Sequence, residues 1–318
     1  MEGIMNRRYF VQSGLMTWLS LSFLPVFNCK NRKQAVMKRK LGRHDEYLSV
    51  LGFGGIVIDK EEQSIANEAV AKAFERGINY FDVAPTYGNA EDKLGPALKP
   101  YRKYSFLACK TQERSRAGAE KELNNSLAKL KTDYFDLYQL HAITSVEDVE
   151  KAFGPDGAME LFIKAKQDGK IRYLGFSAHS EEAALLAMDK FDFDTILFPI
   201  NFVCWYEGNF GPRVVEKAKE KNMGILALKS LAYSQLRDRN NNPYNKLWYQ
   251  PVDLTNDDLI KKALSFTLSQ SVTAAIPPGQ PEYFWKALDL VSSIKDLSAE
   301  QIKQLKDLSK EATPLFSS

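Results

Sequence analysis

The sequence predicts a (β/α)8 barrel in a single domain, and three observations predict it. Eight short apolar runs, at 50–53, 78–81, 104–108, 135–140, 171–176, 195–199, 224–228 and 273–276, alternate with segments of helical spacing. The runs are too uniformly apolar for a sheet with one wet face, which argues for parallel strands covered on both sides. Eight strand–helix units in about 240 residues also match the size of a closed barrel, which takes roughly 250. A doubly wound sheet is the competing arrangement. It expects Gly-x-Gly-x-x-Gly after its first strand, and Leu51-Gly52-Phe53-Gly54-Gly55 lacks that spacing.

After the first run, apolar residues at 66, 69, 70, 73 and 74 form one face of a helix over 65–74. Gly77 ends that helix before the second run. The second run passes into the loop Val83-Ala84-Pro85-Thr86-Tyr87-Gly88, and Glu91, Leu94 and Gly95 start and pack the helix that follows. Further helices fall at 117–130, 146–167, 181–190, 212–221, 257–269 and 281–291, with Gly169 at a helix stop and Gly224 at a strand start. The segment 231–253 is rich in Asn, Tyr and Trp and is too long and polar for a turn. It is read as a loop on the active face. The barrel with a C-terminal helical extension occupies 37–318, behind an N-terminal segment 1–36.

A chain of 318 residues, 44% hydrophobic, can bury one large core. Lys+Arg of 43 against Asp+Glu of 40 leaves a net charge of +3 with the signs interspersed, so no basic stripe marks a nucleic-acid partner. Three cysteines (Cys29, Cys109, Cys204) and three histidines (His44, His141, His179) offer neither a disulfide framework nor a metal-ligand spacing. At the N-terminus, Arg7-Arg8-Tyr9-Phe10 precedes an uncharged run over 15–27, the pattern of a twin-arginine export signal. The expectation is an exported protein, periplasmic or membrane-anchored, with membrane contact only through this segment. Cys29 raises the question of lipid attachment, although Val26-Phe27-Asn28 lacks the small residues such a site wants. The alternative is translation from Met37 and a cytoplasmic protein.

Polar residues at the C-terminal ends of barrel strands converge on one mouth. That rule selects Asp82 after the second run, Cys109-Lys110 after the third, His141 after the fourth and Ser177-Ala178-His179 after the fifth, with Tyr87 in the loop beyond Asp82. Each has a structural reading by itself: Asp82 as a helix cap, Lys110 as a solvated cation, His141 as a hydrogen-bonded core residue. Four complementary groups at successive strand ends argue for a site.

Those residues lie in motifs. Asp82-x-Ala84-x-x-Tyr87-Gly88-x-x-Glu91-x-x-Leu94-Gly95, Lys110-Thr111 and Tyr138-Gln139-Leu140-His141 resemble the aldo-keto reductases. So do Leu41-Gly42-Arg43, Leu48-Ser49-Val50-Leu51-Gly52, the stretch from Ser126 to Leu137, and Ile171-Arg172-x-x-Gly175-Phe176-Ser177. Within the family the chain is most similar to the bacterial branch with twin-arginine signals. The resemblance implies an NAD(P)H-dependent carbonyl reductase with Asp82, Tyr87, Lys110 and His141 at the catalytic positions. A free phenol titrates near 10. Lys110, paired with Asp82, is expected to lower that value so that Tyr87 protonates the carbonyl oxygen while His141 orients it.

For the cofactor, the resemblance implies NADP(H). The positions it assigns are Gly55 and Ile56, Ser177 and Ala178, Leu228, Lys229, Ser230 and Leu231, and Pro278, Gly279 and Gln280. Ala178 stands where Asn is common, Leu197 where Gln is frequent and Leu228 near a frequent aromatic, and the usual Arg for a 2′-phosphate is absent. The expected substrate is a small carbonyl compound or a sugar-like one. Trp205-Tyr206, Phe210, Trp248 and Tyr249 fall near loops at the mouth, where such residues either wall a pocket or pack helices on the barrel, and they select no substrate. The alternative reading is a catalytically weak or inactive barrel that serves as a ligand-binding or regulatory protein.

Overall fold

The computed structural model describes residues 35–238 and 240–318, so the Arg7-Arg8 pair and Cys29 lie outside the described residues. Eight parallel strands form the barrel: Phe53–Gly54, Tyr80–Asp82, Phe106–Thr111, Phe135–Ile143, Ile171–Ala178, Thr195–Pro199, Gly224–Leu228 and Ala274–Ile276. Each pairs with the next in chain order. The ring comes together where Leu51 bridges Ala275, with Gly52 N–H donating to Ala275 O at 2.9 Å and Ala275 N–H to Val50 O at 2.9 Å. The first run therefore divides its work. Residues 50–52 meet the eighth strand, and only Phe53–Gly54 meets the second.

The expected fold class is the observed one, and the boundaries move in a consistent direction. The second to fifth strands end one to three residues later than the apolar runs predict, so Asp82, Lys110, His141, Ser177 and Ala178 belong to strands rather than to loops. An apolar run ends where polar residues begin, but the ladder continues as long as its neighbour offers hydrogen bonds. The segment 146–167 forms two helices, Val146–Phe153 and Ala158–Gln167. Gly154-Pro155 separates them because proline lacks the N–H that would continue the ladder.

Side chains alternate across the strands into two cores. Tyr80, Phe106, Ala108, Leu137, Leu197, Leu226 and Ala274 pack together inside the ring, and the larger apolar layer lies between strands and helices. The lower end is plugged by an antiparallel hairpin, Lys38–Lys40 with Tyr47–Ser49, whose Leu48 and the adjoining Leu41 join the interior cluster. At the other end, 231–253 is not a structureless loop. Ala232–Gln235 pairs antiparallel with Tyr249–Pro251, and the connection reaches the mouth. The C-terminal extension is the helix Ala299–Ser309, started by a reciprocal cap between Ser298 and Gln301. Among the described residues, no helix is long and apolar enough to cross a membrane.

Candidate active site

Strand alternation carries the polar side chains to the mouth. Asp82 lies two residues beyond the interior-facing Tyr80, Lys110 two beyond Ala108, and His141 four beyond Leu137. Lys110 is 0% exposed and Asp82 2%. The ammonium donates to Asp82 Oδ1 and, at 3.1 Å, to the Val83 carbonyl. Tyr80 donates its hydroxyl to Asp82 Oδ2 at 3.1 Å, so both carboxylate oxygens are engaged. A buried ion pair persists only when such partners satisfy it.

Tyr87 comes from the loop beyond Asp82. Its N–H donates to Ala84 O at 3.0 Å, and Asp59 Oδ1 accepts the Asn89 N–H at 3.0 Å, which ties the loop to the turn after the first strand. Gly88 has φ +57°, and a Cβ there would lie 2.1 Å from Asp59 Oδ1, so a side chain would strain the turn and displace Asp59. The Tyr87 ring is half-buried, with its hydroxyl end toward Lys110. The Lys110 ammonium is 5.3 Å from the ring centroid, and the His141 ring meets Tyr87 edge-on at 5.8 Å. Asp82, Tyr87, Lys110 and His141 therefore occupy one place.

The electrostatics correct one expectation. Burial pushes the Tyr87 phenol up and the charge of Lys110 pulls it back, but burial wins and the phenol ends above its ordinary value rather than below it. Burial would push Lys110 down, but Asp82 and Tyr87 outweigh it and the amine stays above the usual lysine range. His141 is held down at about 2 by burial first and then by Lys110, His179, Arg114 and Lys229. It is a neutral hydrogen-bonding group, and its buried Nδ1 has no partner. Arg114 donates to the His141 carbonyl at 2.8 Å, and the next residue, Ala142, turns to φ +52°.

The positions assigned to the cofactor scatter more widely. Ile56, Leu228, Lys229, Pro278 and Gly279 line one cleft with Asp82 and Tyr87, and Leu197 and Ile276 share it. Gly279 belongs there because a Cβ would meet Ile56 Cγ2 at 2.4 Å. Ser230 is buried with an unpartnered hydroxyl, and Gln280 holds an unpartnered Oε1 beside a neighbouring cavity. Ser177 accepts the Ala142 N–H at 2.7 Å and keeps its own O–H to donate. Gly55 sits tight against Val83, while Ala178 and Leu231 pack into the outer core. Unpartnered buried polar atoms beside Asp82, Tyr87, Lys110 and His141 fit a nicotinamide dinucleotide, whose amide, hydroxyl and phosphate groups would supply the missing partners.

Of the aromatic residues expected at the mouth, Trp248 and Tyr249 line the cleft, and Trp248 is 50% exposed. Trp205 and Tyr206 pack on Phe266, and Phe210 stacks on Phe198, all as helix–barrel packing. Sequence reasoning missed Tyr80, although its place two residues before Asp82 on one strand face could have revealed it. It also missed Lys246 and Phe316, which carry no local signal.

The model of the aldo/keto reductase family matches residues 50–309 of this chain. The uncharacterized oxidoreductase YqkF of Bacillus subtilis is 36% identical over 155 residues, 44% of this chain and 48% of that protein. Aldo-keto reductase YhdN of the same organism is 29% identical over 229 residues, 66% of this chain and 64% of that one. These matches span from about half to just under two thirds of the relatives' length. The holo form of aldo-keto reductase AKR11C1 from Bacillus halodurans superposes with a TM-score of 0.67 at 24% identity, over 87% of this chain and 98% of that one, a likeness of fold.

Proposed function

The chain belongs to the aldo/keto reductase family, and on that premise we propose that it reduces the carbonyl group of a small aldehyde or ketone to an alcohol. When bound, the reduced nicotinamide supplies the hydride to the carbonyl carbon. Tyr87 gives the proton to the carbonyl oxygen, and Lys110, held charged by Asp82, stabilises the phenolate left behind. Neutral His141 donates a hydrogen bond to the same oxygen and fixes its direction. A phenol raised by burial stays protonated at neutral pH, the form that reduction consumes. The reading rests above all on one observation: the buried Lys110–Asp82 pair beside the Tyr87 ring. The non-catalytic alternative is not favoured.

The resemblance implies NADP(H), but the side chains beside Gln280 support NAD(H). The cavity next to the catalytic cleft begins where Gly279 gives way to Gln280 and Tyr249 to Gln250. Tyr233, Tyr244 and Tyr283 line it with Asp253 and Glu282, and among the described residues lining it none is Lys or Arg. Carboxylates suit ribose hydroxyls and repel a 2′-phosphate, which cationic side chains hold.

Two measurements test these readings. Tyr87→Phe lowers turnover by about 10²- to 10⁴-fold while reduced nucleotide still quenches protein fluorescence with unchanged affinity; undiminished turnover removes Tyr87 as the acid. Fluorescence titration of the full chain gives NADH at least roughly tenfold tighter binding than NADPH, a gap of about 1.4 kcal/mol. Tighter NADPH overturns the assignment of the acidic cavity.

A further inference from the structure

Lys229 stands just past the end of the seventh strand in a left-handed conformation, φ +62°. Its ammonium lies 5.2 Å from the Trp248 ring centroid and 5.8 Å from that of Phe316. It makes no ion pair with any described carboxylate. Burial accordingly pushes it down to about 8, and only Cys204 opposes the shift. The C-terminal tail builds the other wall. Phe316 stacks on the His179 ring at 5.1 Å and 6°, and on Phe210 at 5.3 Å. Backbone bonds hold the tail in place: Gln235 N–H to Thr313 O at 3.0 Å, and Ser318 N–H to Gly208 O at 3.0 Å. Buried His179 Nε2 has no hydrogen-bond partner.

An unpaired ammonium and an unpartnered imidazole nitrogen thus sit in one aromatic-walled corner. That corner lies near His141, whose protonation Lys229 and His179 both oppose. Elsewhere at the mouth the cations are satisfied: Lys110 by Asp82, Lys246 by Glu61 at 2.8 Å, and Arg114 by Asp148. Building on the reading of the site as a carbonyl reductase, we propose that Lys229 and His179 form a subsite for an anionic group on the substrate, so that the preferred substrates are aldehydes or ketones that also carry a carboxylate. The ammonium supplies the charge and the neutral imidazole one N–H. The rings of Trp248 and Phe316 hold the cation in position. Lys229 also lines the cleft with Pro278 and Gly279, so a phosphate of the nucleotide is the competing anion.

The test compares succinic semialdehyde with butanal in the full chain. Wild type shows at least a tenfold higher kcat/KM for the carboxylated aldehyde. In Lys229→Met that ratio collapses toward one, and Lys229→Arg restores most of it. A wild-type ratio near one, or a ratio unchanged in Lys229→Met, overturns the proposal. If Lys229→Met instead weakens NADH binding in fluorescence titration and leaves the ratio intact, the anion is the nucleotide's phosphate and the substrate assignment fails. Calorimetric titration with succinate and succinamide separates this result from a failure of the reductase reading. Binding of succinate, lost in Lys229→Met and absent with succinamide, supports the subsite even in a protein that turns over no carbonyl. Equal binding of both compounds sinks it.

Discussion

Two lysines face the mouth of this barrel from opposite sides, and burial treats them in opposite ways. Lys110 on the third strand loses all contact with water but gains Asp82, the Val83 carbonyl and the Tyr87 ring, and its pKa rises. Lys229, just past the seventh strand, lies beside two aromatic rings with no described carboxylate, and burial lowers its pKa to about 8. A buried cation with its partner inside the protein is finished structure; one without a partner is a demand that a ligand can meet.

The strongest way to break this comparison is to convert Lys110 into a second Lys229. Asp82→Asn leaves the ammonium buried and unpaired, and denaturant titration should record a loss of about 3–5 kcal/mol together with nearly complete loss of turnover. Stability within 1 kcal/mol of wild type would mean that the pair is not held as the geometry indicates.

A smaller effect of opposite sign is expected at the other lysine. Lys229 is charged in both folded and unfolded chains below pH 8, so its burial penalty is present in full there. Between about 8 and 10.5 the folded protein releases the proton first, and the penalty fades as pH rises. Lys229→Met should therefore be more stable than wild type at pH 7 by about 1–3 kcal/mol, with the difference shrinking toward pH 10.5. A destabilised variant at pH 7 would show that the ammonium has a partner after all.

A third effect, seen only as pH falls, comes from the imidazoles between the two lysines. His141 and His179 are held to about 2 and about 3, chiefly by burial, while in the unfolded chain both take up protons near 6.5. Below that pH the unfolded state binds more protons, so stability falls as pH drops from 7 toward 3, by up to about 1.4 kcal/mol per pH unit for each uncompensated proton. Thermal unfolding of His179→Phe, which keeps the stack on Phe316, should show a shallower decline across that range. An unchanged slope would place His179 in water.

How much of this was legible beforehand differs by scale. Alternating apolar runs and helical segments report the barrel because burial on both faces of a parallel sheet leaves that imprint in every run. Asp82, Lys110 and His141 were legible for a related reason: each ends an apolar run, and strand direction in a barrel sends all such ends to one mouth. Tyr87 and Gly88 followed from their place in the same short loop. The lower hairpin was not legible as a plug, since Leu41 and Leu48 look like any apolar pair until the strands above them form a ring.

What the sequence by itself determined is therefore the fold class and the identity of the polar residues at the strand ends, because both depend on periodicity and chain direction, which are local. The tertiary structure alone decided three further things. Burial against the charge of Lys110 set the direction of the Tyr87 shift, a balance that no spacing encodes. The contact that lays Phe316 on His179 joins residues far apart in the chain. The absence of a described carboxylate near Lys229 depends on where every other segment went, and only a folded chain settles which charges find partners.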